Sequence, residues 1–573
     1  MKVNRLGTFF LVISILMVGY CTPKKKDPLQ DLLQLWILND FLNPSGPDPL
    51  FRYQWHLKND GTTPGALAGA DARVEGAWNS GILGRNVNIV VVDDGVDLRH
   101  EDLAAQVNSE LNIDFTGQLP TQVNGTAGCD DRNACHGTAV AGIAAAIGNN
   151  GRGGKGAAPS ARISGRNLLL ANTSFTTSVV RSMSEKAGSI YVSNNSWGAP
   201  DYTGEPQGSL AFFGWRNAIT TGITSGRNNR GALYFWAAGN GGDEIQPGTG
   251  IFVDNSNLDG QANYHGVIAV AAIGNDDKKA PYSEEGANLW ISAHSEGSSG
   301  VAIATTDIMG SAGYNPNRNA PLFGTGFNNN YTNIFNGTSA ATPLAAGVAA
   351  LVLEANPQLT WRDVRYILAT TARKVDPTDT DWATNGAGRE FNHKYGFGAV
   401  DATRAVRRAR NFSSLSPFLE SSIFPYSGGP QTINGSTGEV NATTVNVSSS
   451  PVAKIEYVEI VVNITSPSTD PSGGSGELEI VLTSEAGTSA VLAIPHICLS
   501  ESDRTSCADY NDWRFGAAIF LDEDSNQVWT LQIRDRCNLA TCSNFNASFS
   551  ANVFSNSEHS LNSWSIKFYG RAN

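Results

Sequence analysis

Charge is scarce in this chain. Of 573 residues, 40 are Lys or Arg and 53 are Asp or Glu, leaving a net −13. No basic array is present, and the acidic excess argues against nucleic acid as a partner while suiting a basic substrate. Heptads and long repeats are missing, which leaves no coiled coil or repeat array to build on. The uncharged run at residues 6–20 is short for a bilayer span. Cysteine is sparse: Cys21, Cys129, Cys135, Cys498, Cys507, Cys537 and Cys542 are all there are. Glycine is abundant instead, at sixty residues, and implies many turns and close backbone approaches. The length exceeds one ordinary core, so two or more domains are expected.

Lys2 and Arg5 precede the run at 6–20, and residues 1–20 read as a signal peptide. Cys21 follows, then Thr22-Pro23 and three lysines. This resembles the lipidation site of bacterial lipoproteins, although Tyr20 stands where a small residue is usual; plain cleavage nearby is the alternative. The resemblance implies an exported protein, held at a membrane by an N-terminal lipid and facing the periplasm or the exterior, or else secreted. Residues 21–47 read as a tether, ended by Asn43-Pro44-Ser45-Gly46-Pro47. An exported chain permits disulfides. With Cys21 set aside, the simplest pairing is local, 129–135, 498–507 and 537–542, with other connectivities open.

From 48 to 410 strands and helices alternate. Residues 87–92, 190–192, 233–238 and 267–273 are buried-strand runs, while 139–147 and 361–372 read as helices. This is the α/β pattern of a mostly parallel sheet flanked by helices. Residues 411–438, rich in Ser, Pro and Gly, read as a linker. From 439 to 573 the period changes to two, at 455–462, 478–482, 529–533 and 564–569, which predicts an antiparallel β-sandwich.

Residues 340–353 carry no charge and are almost all small or apolar, so they predict a helix buried on every side. Pro343 is tolerated only near a helix start. The helix therefore begins at about Ser339 or Ala340 and sets a serine hydroxyl at its positive end. A capping serine is the plain explanation; the rest of the chain decides otherwise. Asp93 closes a strand, His136-Gly137-Thr138 opens an Ala-rich helix, and Asn240 ends another strand in Gly239-Asn240-Gly241. Strand ends at one edge of an open sheet form its binding crevice. Acyl transfer by serine needs a base, a carboxylate to orient it and an oxyanion donor, and these four residues are candidates for them; the plain alternatives are a turn at Asp93-Asp94-Gly95, a structural histidine and a Gly-Asn-Gly loop.

The motifs Asp93-Asp94-Gly95, His136-Gly137-Thr138 and Gly337-Thr338-Ser339-Ala340, in that order, resemble the subtilisin-like serine peptidases. The resemblance implies Ser339 as nucleophile, His136 as general base, Asp93 as its orienting carboxylate and Asn240 as oxyanion donor. Asp48-Pro49, Gln54-Trp55-His56-Leu57, Ser196-Trp197-Gly198 and Thr360-Trp361-Arg362-Asp363 look like the kexin/furin branch, which carries a C-terminal β-sandwich, the P domain.

That branch cleaves after basic residues. By resemblance, Asp201 and Asp259 line the first pocket, Asp94 faces the next substrate residue upstream, and Ser196-Trp197-Gly198 pairs with substrate backbone by strand addition. Leu170 and Asn133 stand where further acids are usual, so a weaker demand for multibasic sites is expected. The branch also implies structural Ca²⁺, with Asp48, Asp102, Asn150 and the carbonyls of Ile147, Arg152 and Gly154 at one site, and Asp201, Asp254 and Glu284 at a second. Hard cations take such oxygen donors. The expected function is thus a calcium-stabilised serine endopeptidase cleaving proteins after Arg or Lys. The competing readings are a catalytically silent surface adhesin and a broad-specificity subtilisin.

Overall fold

The computed structural model describes residues 46–116, 136–171, 174–198, 200–201, 210–243, 254–310, 313–315, 329–434, 440–466, 474–495, 509–536 and 558–573. The signal segment, nearly all of the tether, all seven cysteines and Asn133 lie outside these residues, and with them the expected lipidation and disulfides.

The first half is built on a parallel sheet of β1 (Asn88–Val92), β2 (Arg162–Arg166), β3 (Val192–Asn195), β4 (Leu233–Ala237), β5 (Val267–Ile273) and β6 (Ile291–His294). Among the described residues the strand order is β2-β1-β3-β4-β5-β6. Every residue of β4 and β5 is buried, because helices cover both faces. β7 (Ile303–Thr306) and β8 (Tyr331–Phe335) form an antiparallel ribbon, and β9 (Ala383–Thr384) pairs with β10 (Glu390–Phe391).

Register brings the functional segments together. Val92 lies level with Arg166 and Asn195, and Asn195 with Trp236. The residues that follow these strands, Asp93, Ser196 and Gly239-Asn240, therefore share one edge. β3 starts two residues later than the apolar run at 190 suggested. Its ladder takes in Asn194 and Asn195, whose side chains are fully buried and hydrogen-bonded.

Helix Thr338–Ala355 is buried from Thr338 to Leu353. It begins one or two residues before the expected start, with Gly337 as the preceding cap at φ 77°, a left-handed conformation that favours glycine. Ser339 thus lies inside the first turn and is not the cap. Helix His136–Ala145 takes in the His136-Gly137-Thr138 expected to open it, and a distant carboxylate accepts its first N–H groups. Helix Trp361–Thr371 carries a capping box between Thr360 and Asp363.

The second half is a sandwich of two antiparallel sheets. One contains β11 (Phe418–Glu420), β12 (Phe424–Pro425), β13 (Gln431–Ile433), β15 (Lys454–Thr465), β18 (Tyr510–Ala517) and β20 (His559–Arg571). The other contains β14 (Asn441–Asn446), β16 (Leu478–Ser484), β17 (Ser489–Ala493) and β19 (Val528–Asp535). Trp529, Trp564 and Phe568 fill the space between them. The stretch 411–438 is not a free linker: three short pieces of it pair with β20. Pro and Ser fit short edge strands as well as they fit linkers.

The halves meet over a polar and aromatic seam. The buried Arg362 guanidinium pairs with Glu456, its Nε donating at 2.8 Å. Asn257 brackets Gly516, donating to its carbonyl at 2.9 Å and accepting its N–H at 2.7 Å. His265 stacks on Tyr569 with ring centroids 3.8 Å apart.

Candidate active site

Asp93 leaves the end of β1 fully buried. Its two carboxylate oxygens lie 2.9 and 3.1 Å from His136 Nδ1. The second imidazole nitrogen, Nε2, has no hydrogen-bond partner among the described residues, and the ring packs edge-on against Phe335 at 5.1 Å. Burial disfavours the imidazolium, but the charge and hydrogen bond of Asp93 outweigh it, and Asp94 adds to them, so His136 is held above its ordinary pKa.

Asp94 has a role the sequence did not reveal. Its Oδ2 accepts the His136 backbone N–H and its Oδ1 the Gly137 N–H, both at 2.8 Å. The carboxylate caps the helix that carries the imidazole. Gly137 is required there, since a Cβ would lie 2.2 Å from the Gly95 carbonyl oxygen. Burial and the neighbouring Asp93 charge push Asp94 up to about 7.

Asn240 reaches the Thr338–Ala355 helix from the end of β4. Its Oδ1 accepts from the Thr338 N–H at 2.8 Å and from the Thr338 hydroxyl at 3.0 Å. An N–H donor fixes that atom as oxygen, so Nδ2 is left to donate and has no acceptor among the described residues. The first N–H groups of a helix have no intrahelical acceptor, and that of Ser339 has none among the described residues. Asn240 Nδ2 and the Ser339 N–H are thus both available for an anion.

The Ser339 hydroxyl donates to the Ser196 carbonyl at 3.2 Å, not to His136. The Ser196 hydroxyl donates in return to the Ser339 carbonyl at 3.0 Å. Trp197 is anchored by its Nε1–H to the Val92 carbonyl at 3.0 Å and packs on Trp236.

The acids expected at the first pocket gather beside this strand. A Cβ on Gly198 would lie 3.9 Å from Asp259 Oδ2. Asp201 Oδ1 accepts the Asn240 N–H at 3.4 Å. Glu284 Oε1 accepts the Gly241 N–H at 3.0 Å, while its Oε2 is buried with no partner. Burial, with Asp254, Asp259 and Asp201 adding their charge, holds Glu284 well above the usual carboxylate range. Asp201, Asp254 and Glu284 do not form a ready-made cage: among the described residues, no three acidic, His or Cys side chains converge as a cation site.

Asp48 and Asp102 meet near the 149–154 loop. Asp48 accepts the N–H groups of Asn149 at 2.6 Å and Asn150 at 3.0 Å. Asp102 accepts the Asn150 amide at 2.7 Å and the Gly154 N–H at 3.2 Å. Burial pushes Asp102 up to about 8; the Asn150 amide opposes this and the Asp48 charge adds to it. Leu170 ends a short 3₁₀ turn, Leu168–Leu170, beyond β2.

A serine in the first turn of a buried helix and a histidine held on a carboxylate, both carried by a parallel sheet flanked by helices, fit a serine endopeptidase, and the comparisons with known proteins agree. The chain belongs to the subtilase family, whose model matches residues 84–398. A proprotein convertase P-domain model matches residues 455–568. Neuroendocrine convertase 2 of Drosophila melanogaster is 32% identical over 505 residues, covering 85% of this chain and 69% of the relative. PC3-like endoprotease variant B of Hydra vulgaris is 32% identical over 508 residues, covering 86% of this chain and 64% of the relative. The serine protease of Aeromonas sobria superposes with a TM-score of 0.78 at 27% identity, over 92% of this chain and 96% of that one.

Proposed function

We propose that this endopeptidase uses Ser339 as nucleophile, His136 as general base and then acid, and Asp93 to hold the imidazole in the tautomer with Nδ1 protonated. The observation that carries this reading is the contact of both Asp93 oxygens with Nδ1. It leaves Nε2 as the basic nitrogen, on the side away from the carboxylate. The hydroxyl swings from Ser196 to Nε2, attacks the scissile carbonyl and passes its proton to the imidazole. The oxyanion that forms takes two hydrogen bonds, from Asn240 Nδ2 and the Ser339 N–H. His136 then protonates the leaving amine, and water repeats the cycle on the acyl-enzyme.

Substrate lies extended along Ser196-Trp197-Gly198. Cleavage falls after Arg or Lys, because a buried cation needs a paired carboxylate, and Asp259 beneath Gly198, with Asp201 beside it, supplies one. Asp94 spends an oxygen on each of two backbone N–H groups, so its pull on the next substrate residue is weak. Rates on peptides ending in Arg against Phe test the pocket: a large preference for Arg is expected, and equal rates overturn it.

Both acid clusters offer hard oxygen donors that would suit calcium once their side chains turn toward it. The unpartnered Oε2 of Glu284 and the mutual repulsion around it are relieved by a divalent cation held with Asp201 and Asp254. Asp48, Asp102 and Asn150, with the carbonyls of Ile147, Arg152 and Gly154, supply hard oxygen donors to the other site. A bound ion would contribute structurally, neutralising the carboxylates of Asp48, Asp102, Asp201, Asp254 and Glu284. Residues 48–410 form the peptidase domain, and the P-domain sandwich extends upstream of 439 to take in the strands from Phe418. The chain is exported, with Cys21 as a lipid anchor and the six remaining cysteines paired locally. The intact catalytic residues speak against a silent adhesin.

A further inference from the structure

Pro343 takes a hydrogen bond away from the helix that carries the nucleophile. It is the sixth residue of helix Thr338–Ala355. Its missing N–H is the one that would meet the carbonyl four residues back, that of Ser339. That carbonyl is not left alone. The Ser196 hydroxyl, from the neighbouring strand end, donates to it at 3.0 Å. Asn194 Nδ2 donates to the same hydroxyl oxygen at 3.0 Å, so the oxygen is already an acceptor and its proton is turned to Ser339. Asn194 is fully buried and Ser196 only 4% exposed, so water does not compete for either.

We propose that Ser196 is a positioning residue whose hydroxyl stands in for the N–H that Pro343 lacks, fixing the Ser339 backbone that carries the nucleophile and an oxyanion donor. This rests on the reading of Ser339 as nucleophile. It differs from the role of Ser196 in substrate pairing, which is made by main-chain atoms that any residue possesses. The hydroxyl donates to the Ser339 carbonyl, which lacks a helical N–H partner because residue 343 is a proline. Pro343 leaves the first turn free to be held from outside, and Ser196 ties it to the strand along which substrate lies.

The test is a double-mutant cycle of Ser196→Ala with Pro343→Ala, reading kcat and KM on an Arg peptide anilide. The proline replacement returns an N–H aimed at the Ser339 carbonyl. In the Pro343 background, Ser196→Ala lowers kcat roughly tenfold or more with KM within about twofold, since small misplacement of a reacting group is costly. In the Pro343→Ala background the same change lowers kcat by no more than about threefold, the coupling expected of groups that share one partner. Pro343→Ser supplies the same N–H if the alanine variant folds poorly. Equal losses in both backgrounds, or a loss confined to KM, overturn the proposal while leaving the nucleophile reading intact. A fluorophosphonate adduct on Ser339 of the unaltered protein secures that reading first; its absence overturns both.

Discussion

Both oxygens of the Asp93 carboxylate lie within hydrogen-bonding distance of His136 Nδ1, at 2.9 and 3.1 Å. Two consequences follow for pH. The working base is the neutral imidazole, so kcat/KM rises with pH through the His136 titration. Because Asp93 holds His136 above its ordinary 6.5, that limb lies above 6.5. Asp93→Asn removes the raising charge: the limb moves to lower pH, and kcat falls on the order of 10⁴-fold, as in other Ser-His-Asp enzymes. The pH profile of kcat/KM checks both. For folding the sign is opposite: a raised histidine stabilises the native state at low pH, and that contribution is lost as pH rises through the folded value.

Asn240 is oriented by Thr338, with its oxygen committed to the Thr338 N–H and hydroxyl. Replacing Asn240 by Ala removes one oxyanion donor. A loss of about 10²–10³ in kcat with little change in KM is expected, by analogy with the asparagine donor of a related peptidase. Steady-state kinetics at the pH optimum measures it. A change in KM alone would assign Asn240 to ground-state binding.

Asp259 Oδ2 would lie 3.9 Å from a Cβ on Gly198, and the proposed reading sets it at the pocket of the first substrate side chain. Asp259→Asn is expected to cost about 2–5 kcal/mol of transition-state binding for an Arg substrate, the range for breaking a buried charged pair. Phe substrates should lose little. The ratio of kcat/KM for the two peptides reads the effect, and a uniform loss would make Asp259 a structural residue.

Calcium binding to the folded state alone raises its stability by about 2.7 kcal/mol when the ion stands at a hundred times its dissociation constant. Thermal melts with calcium and with chelator should therefore separate by several degrees. Glu284→Gln removes the charge of one proposed ligand and should shrink the gap without closing it, since the proposed Asp48–Asp102 site is untouched. Melts that coincide with and without chelator would refute both sites.

Much of the candidate site was legible in the sequence because its chemistry sits in short motifs at the ends of apolar runs. Asp93, His136, Asn240 and Ser339 each end a strand or open a helix, and the parallel sheet brings such positions to one edge. What was not legible depends on contacts between distant segments. Asp94 caps a helix more than forty residues downstream, accepting the His136 and Gly137 N–H groups. Ser196 completes a turn whose gap comes from Pro343, far along the chain. Strand β3 runs beyond its apolar residues because the fold buries Asn194 and Asn195, whose Nδ2 groups donate to distant and neighbouring oxygens inside. Residues 411–438 read as linker because composition cannot distinguish a spacer from short edge strands. Their pairing with β20 is long-range.

The most direct test of the account is to label the purified protein with a fluorophosphonate and locate the adduct by peptide mass. A single adduct on Ser339, lost in His136→Ala and slowed in Asp93→Asn, is the expected result. No adduct on a folded protein, or an adduct on another serine, would contradict the mechanism drawn from this site.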